Sequence, residues 1–400
     1  MNYVEILKNN EVVRKLSLLQ LIAYFGAWFS NVAIYTMLVN FGSSAFAISV
    51  VTAMHLIPAI VIAPLSGAII DRFKIKSLML TLLCTELIMT LLFLTIDDKS
   101  ELWLLMIFIF IRMGSASMFF STEMSLLPRI ISGKTLQKVN EIHSIIWSFT
   151  YAAGMAASGI IVNAFGIKTA IILDALFFVA AILLFLRTDF KVEVIHTKET
   201  ITSMIKDGFR YIKNHKLVLH LILLHASVGL TSFDTLVTLL AKNEYKYVIA
   251  VPLSIGITNA VRAVALMVGP LFITNWVNKQ RLTYIFIFQG LAIILWGLTQ
   301  FNFYIALIAV FLTGFTTTTI WSYTYALIQE NVESKYLGRV ISYNDMIFMT
   351  SNVITTFFIG VMASLISLNL ITVIIGMAFF AVAIYYKAIM NGVLVDHGDK

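Results

Sequence analysis

Long apolar stretches separated by short polar segments run through almost the whole chain. Each stretch is close to the roughly 20 residues that a helix needs to cross a bilayer, and twelve of them can be counted. We therefore predict an all-α integral membrane protein with twelve transmembrane helices. The predicted spans cover residues 17–40, 46–70, 77–96, 102–124, 141–164, 168–187, 217–241, 248–274, 282–299, 303–327, 341–366 and 369–388.

The composition supports this prediction. The mean hydropathy is +0.91, and charged residues make up only 12% of the 400 residues, which is too few to cover a soluble domain. The first span is too long for the core of a signal peptide and lacks a cleavage site, so we expect it to stay in the protein. Cys84 is the only cysteine, and no disulfide or metal site is expected from it.

The spacing of the spans indicates two halves. Most connections are short, but residues 188–216 form a long polar segment that divides the spans six and six. The stretch APLSG at 63–67 resembles GPLFI at 269–273, as an internal repeat would. We expect an N-terminal six-helix half at 1–187, a cytoplasmic linker at 188–216 and a C-terminal six-helix half at 217–400, related by pseudo-symmetry.

The basic residues predict the orientation. With the N-terminus in the cytoplasm, 22 of the 28 Lys and Arg residues lie on the cytoplasmic side, four lie outside and two lie within spans. Cytoplasmic loops of membrane proteins carry this excess. Both termini are therefore expected in the cytoplasm, and the net charge of +7 needs no nucleic-acid partner.

The loop after span 2 contains a recognisable motif. Residues 66–76 read SGAIIDRFKIK, with Gly67, Asp71, Arg72 and Lys76 in a G-x-x-x-D-R-x-x-x-K pattern. With twelve spans split six and six, this loop resembles the signature of the major facilitator superfamily. YLGRVIS at 336–342, which contains Arg339, is similar to the corresponding loop of the branch of drug and siderophore exporters that includes macrolide-efflux and enterobactin-export proteins.

Further segments extend this resemblance, and some depart from it. IFIFIRMGSAS, with Arg112, resembles the superfamily's span-4 arginine motif, and LQKVNEIHSI at 136–145 fits the exporter branch. GMAASG at 154–159 lacks the Gly-Pro pair of the antiporter motif, and TNWVNKQR at 274–281 has no Asp-Arg. The resemblance implies the major facilitator fold and a gating loop in which Asp71 faces the N-terminal end of span 11.

Charged residues inside spans are costly in hydrocarbon and usually face a cavity or a partner. The resemblance implies that spans 1, 4, 7 and 10 line a central cavity, which would bring Arg112 of span 4 and Asp234 of span 7 together as a proton-coupling pair. Glu86 and Glu123 are further candidates, whereas Asp174 is interpreted as structural. A static buried ion pair is the alternative for Arg112 and Asp234.

The same cavity would be lined by aromatic and hydroxyl groups. Such a wall suits bulky amphipathic solutes better than sugars, although these side chains also serve for packing. The candidate substrate-contacting residues are Tyr24, Trp28 and Asn31 in span 1 and Thr317, Trp321 and Tyr323 in span 10.

These patterns predict a secondary active transporter of a bacterial inner membrane, acting as a monomer in the bilayer and driving efflux of drugs or siderophore-like chelators with protons. The alternative is a lipid or metabolite carrier, with import as an open direction. No phosphate-binding Gly-rich loop, H-E-x-x-H or G-x-S-x-G sequence occurs, so neither an ATP-driven pump nor an enzyme is expected, and no cofactor or metal.

Overall fold

The computed structural model describes residues 3–131, 133–188 and 201–398. Within these ranges the chain is helical and contains no strand. Twelve of its helical segments are long and apolar enough to cross a membrane. The predicted all-α architecture with twelve spans is confirmed.

The first of two compact units is drawn from Met1–Ser44, Met54–Glu199 and Ile249–Ala260. Its helices are α1 (Tyr3–Asn9), α2 (Glu11–Asn40), α4 (Ile57–Arg72), α5 (Ile75–Leu92), α6 (Leu102–Ile130), α7 (Gly133–Phe165) and α8 (Ile167–Leu186), with the first part of α12 (Val251–Ile273). Helix α2 packs against α7 and α8, while α5 packs against α6 and α8. Leu19, Met79, Phe119 and Phe178 belong to the apolar core between them. These contacts place α2 at the centre of the unit.

The second unit is drawn from Ala45–Ala53, Thr200–Val248 and Val261–Lys400. It contains α3 (Ala45–Met54), α9 (Ile201–Asn214), α10 (Lys216–Ala226), α11 (Asp234–Asn243), the remainder of α12, α13 (Leu282–Thr299), α14 (Phe303–Asn331), α15 (Ser334–Met362) and α16 (Leu368–Gly398). Helix α13 packs on α14 and α16, and α10 packs on α14 and α15. The end of α10 therefore lies beside two other spans.

Span 7 is interrupted near its middle. Helix α10 ends at Ala226, a 3-10 turn covers Ser227–Thr231, and α11 begins at Asp234. Nη2 of Arg262 donates to the carbonyl oxygen of Thr231 at 2.6 Å, so a backbone group freed by the break is satisfied. Irregular backbone persists at membrane depth where protein groups supply such partners.

The predicted linker contains a helix that the hydrophobic pattern did not single out. Helix α9 is amphipathic, and its Tyr211 ring stacks on Tyr336 of α15 at a centroid distance of 4.6 Å. Asp207 of α9 accepts a hydrogen bond from Nη1 of Arg339 at 3.4 Å. Part of the linker is thus packed on α15.

Two glycines bring backbones together inside the first unit. A Cβ atom on Gly256 of α12 would lie 2.6 Å from the carbonyl oxygen of Met155, and one on Gly159 of α7 would lie 2.8 Å from that of Pro252. Small residues allow membrane helices to approach this closely. The glycine spacing in GMAASG therefore serves helix packing here.

Replacing Gly256 by alanine is expected to destabilise the folded protein by about 1–3 kcal/mol, the usual cost of forcing extra volume into a packed site. Gly338→Ala is the matched control, because a Cβ atom there meets nothing within 4 Å. Thermal unfolding in detergent should show a lower Tm for Gly256→Ala and an unchanged or higher Tm for Gly338→Ala. Equal Tm values would mean that α7 and α12 are not in backbone contact.

Candidate functional site

A buried ion pair occupies the interior of the first unit. Nη2 of Arg112 on α6 donates to Oδ2 of Asp174 on α8 at 2.7 Å, and the two side chains are 6% and 0% exposed. The hydroxyl group of Ser30 donates to the same oxygen. Gly26 lets α8 approach α2, since a Cβ atom there would lie 3.0 Å from Oδ1 of Asp174. A buried charge needs an opposite charge and hydrogen-bond donors or acceptors around it. Asp174 has both, in Arg112 and Ser30.

The structure gives Arg112 a partner within its own unit. We predicted a pair with Asp234 and interpreted Asp174 as structural, but the guanidinium group binds Asp174 within the first unit. Asp234 begins α11 in the second unit, and its pairing with Arg112 stays a prediction. The position of a span in the sequence does not say which side chains of neighbouring helices meet.

Glu86 completes a cluster of three charged groups. It lies on α5, is 6% exposed and is within electrostatic range of both Arg112 and Asp174. One guanidinium group balances only one carboxylate, and a second anion in hydrocarbon is costly. The cluster therefore favours a state in which one of its two carboxyl groups carries a proton.

Glu123 belongs to a second polar group in the first unit. It lies on α6 and is fully buried, and the side chains of Gln20 and Tyr24 on α2 are within interaction range of its carboxyl group. Gln20 is also hydrogen-bonded to Nδ1 of His143 on α7. The structure thus gathers Glu123 with Tyr24, which the sequence had assigned to the cavity wall, and with His143, which the site prediction did not include.

Asp234 lies at the break in span 7. It is the first residue of α11, where the helix dipole favours an anion, and it is half-buried. The guanidinium group of Arg262 is within electrostatic range of its carboxyl group and also lies 5.0 Å from the centroid of the Phe233 ring. This arrangement fits a carboxylate that helps to hold the interrupted helix in place.

Trp28 and its neighbours form an aromatic cluster in the first unit. Tyr24, Trp28 and Asn31 follow one face of α2, and all three are partly buried. The Trp28 ring lies 4.6 Å from the Tyr151 ring and 6.3 Å from the Trp147 ring of α7. The polar atoms Tyr24 Oη, Trp28 Nε1 and Asn31 Oδ1 are buried and make no hydrogen bond with the described part of the chain, so their hydrogen-bonding capacity is unfilled.

Trp321 belongs to a similar cluster in the second unit. Its ring stacks on Tyr325 at 5.0 Å, and His225 of α10 packs against both rings at 5.6 and 5.4 Å. Tyr323 was predicted on the same wall, but it interacts with Tyr386 of α16 on another face of α14. Residues four apart share a helix face and residues two apart do not, so Tyr325 replaces Tyr323 in the cluster.

Thr317 does not present a free hydroxyl group. It is 7% exposed, and its Oγ1 donates to the carbonyl oxygen of Thr313 at 2.8 Å and to Oε1 of Gln289 at 3.3 Å. Thr316 also donates to Gln289. Thr317 thus helps to join α13 and α14, and its predicted contact with substrate stays a prediction.

Trp321→Ala is expected to weaken binding of a planar or bulky apolar substrate by roughly 1–3 kcal/mol, the scale of an aromatic anchor. The ring is 40% exposed, so it has free surface for a ligand. Equilibrium binding to the purified protein measures the loss, with Trp276→Ala, at another partly exposed tryptophan, as the control. Equal affinities for the wild type and Trp321→Ala would place Trp321 against lipid instead.

The predicted gating loop is only partly within the described side chains. Helix α4 ends at Arg72, which is exposed. The surroundings of Gly67 and the side chain of Asp71 lie outside the described part. Lys76 is on the first turn of α5, and Arg339 binds Asp207 of α9. The contact expected for Asp71 stays a prediction. Among the described residues no three His, Cys, Asp or Glu side chains gather as a metal site would require.

The twelve candidate spans, the buried pair of Arg112 and Asp174 and the interrupted span describe a multi-spanning membrane protein with charged groups in its interior. The sequence model of the Major Facilitator Superfamily matches residues 16–351, and the chain belongs to that family. It is 26% identical to the uncharacterized MFS-type transporter YfiS of Bacillus subtilis (strain 168) over 218 residues, 53% of this chain and 52% of that protein. The chain thus matches about half the length of YfiS.

Two further similarities cover more of the chain. Macrolide efflux protein A of Streptococcus pyogenes is 22% identical over 326 residues, 78% of this chain and 79% of that protein. The crystal structure of the nucleoside transporter NupG matches with a TM-score of 0.72 at 12% identity, covering 95% of this chain and 99% of that chain. The structural match shows the major facilitator fold, and the resemblance noted in the sequence is confirmed.

Proposed function

We propose that the protein is a proton-coupled exporter of bulky amphipathic small molecules, and that macrolides are the class to test first. Export is supported by the similarity to macrolide efflux protein A. The two aromatic clusters around Trp28 and Trp321 support a bulky, partly apolar substrate.

The buried cluster of Arg112, Asp174 and Glu86 carries the proposal of proton coupling. Its net charge changes by one unit when Glu86 gains or loses a proton, and a charge in hydrocarbon is costly. A conformational change that alters the surroundings of Glu86 therefore changes how strongly it holds the proton. Two conformations that differ in proton affinity are the requirement for exchanging a proton against a substrate.

The distribution of basic residues supports an orientation with the N-terminus in the cytoplasm. We place the protein in a bacterial cytoplasmic membrane, with both termini and the linker in the cytoplasm, and as a monomer. In this orientation the Asp71 loop is cytoplasmic, and the role proposed for it is to hold the cytoplasmic side closed.

Asp71→Asn is expected to slow transport while leaving membrane insertion intact. The substitution removes the negative charge with which the Asp71 loop would hold the cytoplasmic side closed, and it keeps the shape of the side chain. The measurement is the rate of macrolide export at matched membrane abundance. Asp97→Asn, at an exposed residue paired with Lys168, is the control. An unchanged export rate in Asp71→Asn would exclude this role of Asp71.

The experiment for the whole proposal measures accumulation of radiolabelled erythromycin in bacterial cells. Expression should lower accumulation, and an uncoupler that collapses the proton gradient should restore it. Cells that express Glu86→Gln should accumulate the label like cells without the protein. Higher accumulation on expression would instead indicate import, as the alternative of a lipid or metabolite carrier allows, and lowered accumulation that persists with the uncoupler would exclude proton coupling.

A further inference from the structure

Two polar clusters lie in the first unit: the Arg112 cluster (Arg112, Asp174 and Glu86, with Ser30 donating to Asp174) and the Glu123 cluster (Glu123, Gln20, Tyr24 and His143). They share helices α2 and α6 but lie at different depths. Gln20 precedes Ser30 by ten residues on α2, a rise of about 15 Å along the helix. Glu123 follows Arg112 by eleven residues on α6, a rise of about 16 Å. Both displacements point toward the end of the first unit at which α2 begins and α6 ends. The Glu123 cluster thus lies between the Arg112 cluster and one membrane surface.

The Glu123 cluster has unsatisfied hydrogen-bonding capacity of both kinds. Neither carboxylate oxygen of Glu123 accepts a well-formed hydrogen bond from the described residues, although the residue is 0% exposed. The amide nitrogen of Gln20 donates to Nδ1 of His143 in this arrangement, so a neutral ring carries its proton on Nε2. That nitrogen is buried and likewise has no acceptor among the described residues.

Tyr24 connects the two clusters. Its phenol group is within electrostatic range of both Glu123 and Glu86, and its oxygen is buried without a hydrogen-bond partner in the described chain. Among the described residues, Tyr24 of α2 is a titratable group within electrostatic range of Glu123. His143 of α7 is bonded to Gln20, which is within interaction range of Glu123, and its ring lies 6.1 Å from the Tyr24 ring. Phe120 of α6 covers His143 at 5.4 Å. A hydroxyl group both donates and accepts, so it suits proton transfer between two carboxyl groups.

We propose that Glu123 and His143, held by Gln20 and reached through Tyr24, form a second proton-exchange station in the first unit. This inference rests on the proposed proton coupling and adds the path by which the proton leaves Glu86. Water that enters between these groups carries a proton from Glu86 to the oxygen of Tyr24, while Tyr24 gives up its own proton towards Glu123. Glu86 is left as a carboxylate, Glu123 becomes a carboxylic acid and Tyr24 is unchanged. Glu123 then passes the proton to Nδ1 of neutral His143, from which the Gln20 amide turns away, and the imidazolium releases its Nε2 proton to water.

The first test of the station does not depend on transport. Infrared difference spectra of the purified protein, recorded across the pH range in which it is stable, should contain the C=O stretch of a protonated carboxyl group that Glu123→Gln removes. His143→Gln should keep this band and shift both its frequency and its midpoint, because it removes the neighbouring acid–base group. His220→Gln, which removes a histidine bonded to Tyr385 in the second unit, should leave the band unchanged. A spectrum of Glu123→Gln identical to the wild type would overturn the proposal.

The second test separates proton movement from substrate movement in proteoliposomes. Tyr24→Phe and Glu123→Gln should slow gradient-driven export of erythromycin by roughly a hundredfold, the lower range of what a positioned proton carrier contributes. Exchange of labelled for unlabelled erythromycin without a gradient needs no net proton transfer and should be unchanged in Glu123→Gln. Glu244→Gln, at an exposed residue after α11, should leave both rates as in the wild type.

The two tests distinguish the station from the proposed function. Wild-type export that ignores the proton gradient would refute proton coupling, and the infrared band would still decide whether Glu123 and His143 exchange protons. Normal gradient-driven export in Tyr24→Phe and Glu123→Gln, together with a gradient-dependent wild type, would overturn the station alone. Equal loss of export and exchange in Glu123→Gln would assign Glu123 to folding and would also overturn the station.

Discussion

Replacing Arg112 by alanine is expected to abolish gradient-driven export and to destabilise the protein by roughly 3–5 kcal/mol, the cost of breaking a buried ion pair from one side. The reason is that Asp174 is 0% exposed and would lose its positive partner. The Ser30 hydroxyl would remain as a donor to it, but a hydroxyl group does not balance a charge. Thermal unfolding in detergent and export in proteoliposomes measure the two effects.

Two companion variants separate charge from geometry. Arg112→Lys keeps the charge and loses the planar guanidinium group, so stability and export should fall less than in the alanine variant. Arg112→Gln combined with Asp174→Asn removes both charges and should restore much of the stability while leaving export abolished. Export at the wild-type rate in that double variant would exclude the ion pair from the coupling mechanism.

Replacing Glu86 by glutamine is expected to abolish gradient-driven export while preserving substrate exchange. The amide keeps nearly the same shape as a protonated carboxyl group and cannot release a proton, so the cluster would be held in one protonation state. Proteoliposomes loaded with labelled erythromycin measure export under an imposed proton gradient and exchange without one.

Asp234→Asn is the matched comparison for Glu86→Gln, because Asp234 has its own basic neighbour, Arg262, in the second unit. We expect it to retain gradient-driven export, with at most a moderate loss of stability at the break in span 7. Loss of export in Asp234→Asn combined with normal export in Glu86→Gln would move the coupling acid to span 7, as the sequence first suggested.

The fold could be predicted because a bilayer imposes simple requirements on the sequence. A span needs about 20 apolar residues, and this requirement can be read without knowledge of tertiary contacts. The interruption of span 7 was not predicted, because Ser227, Gly229 and Thr231 are all tolerated in a membrane helix. The partner that satisfies the backbone at the break, Arg262, comes from a different span.

The candidate site was predicted less completely, because it depends on which helix faces meet. The cost of a charge in hydrocarbon singled out Arg112, Glu86 and Glu123, but it could not say that Asp174 is the partner of Arg112. His143 and Gln20 can be neutral inside a span at a lower cost than a charged side chain, so the same reasoning did not single them out. The stacking of Trp321 on Tyr325 could have been predicted, since residues four apart share one helix face.

The central claim, that substrate binding and proton release are coupled through Glu86, is tested most directly by adding erythromycin to the purified protein in weakly buffered detergent solution. A pH-sensitive dye or electrode records protons released on binding. The wild type should release protons in proportion to the substrate bound, and Glu86→Gln should bind the substrate without releasing them. Binding by the wild type without proton release, or undiminished release from Glu86→Gln, would contradict the account.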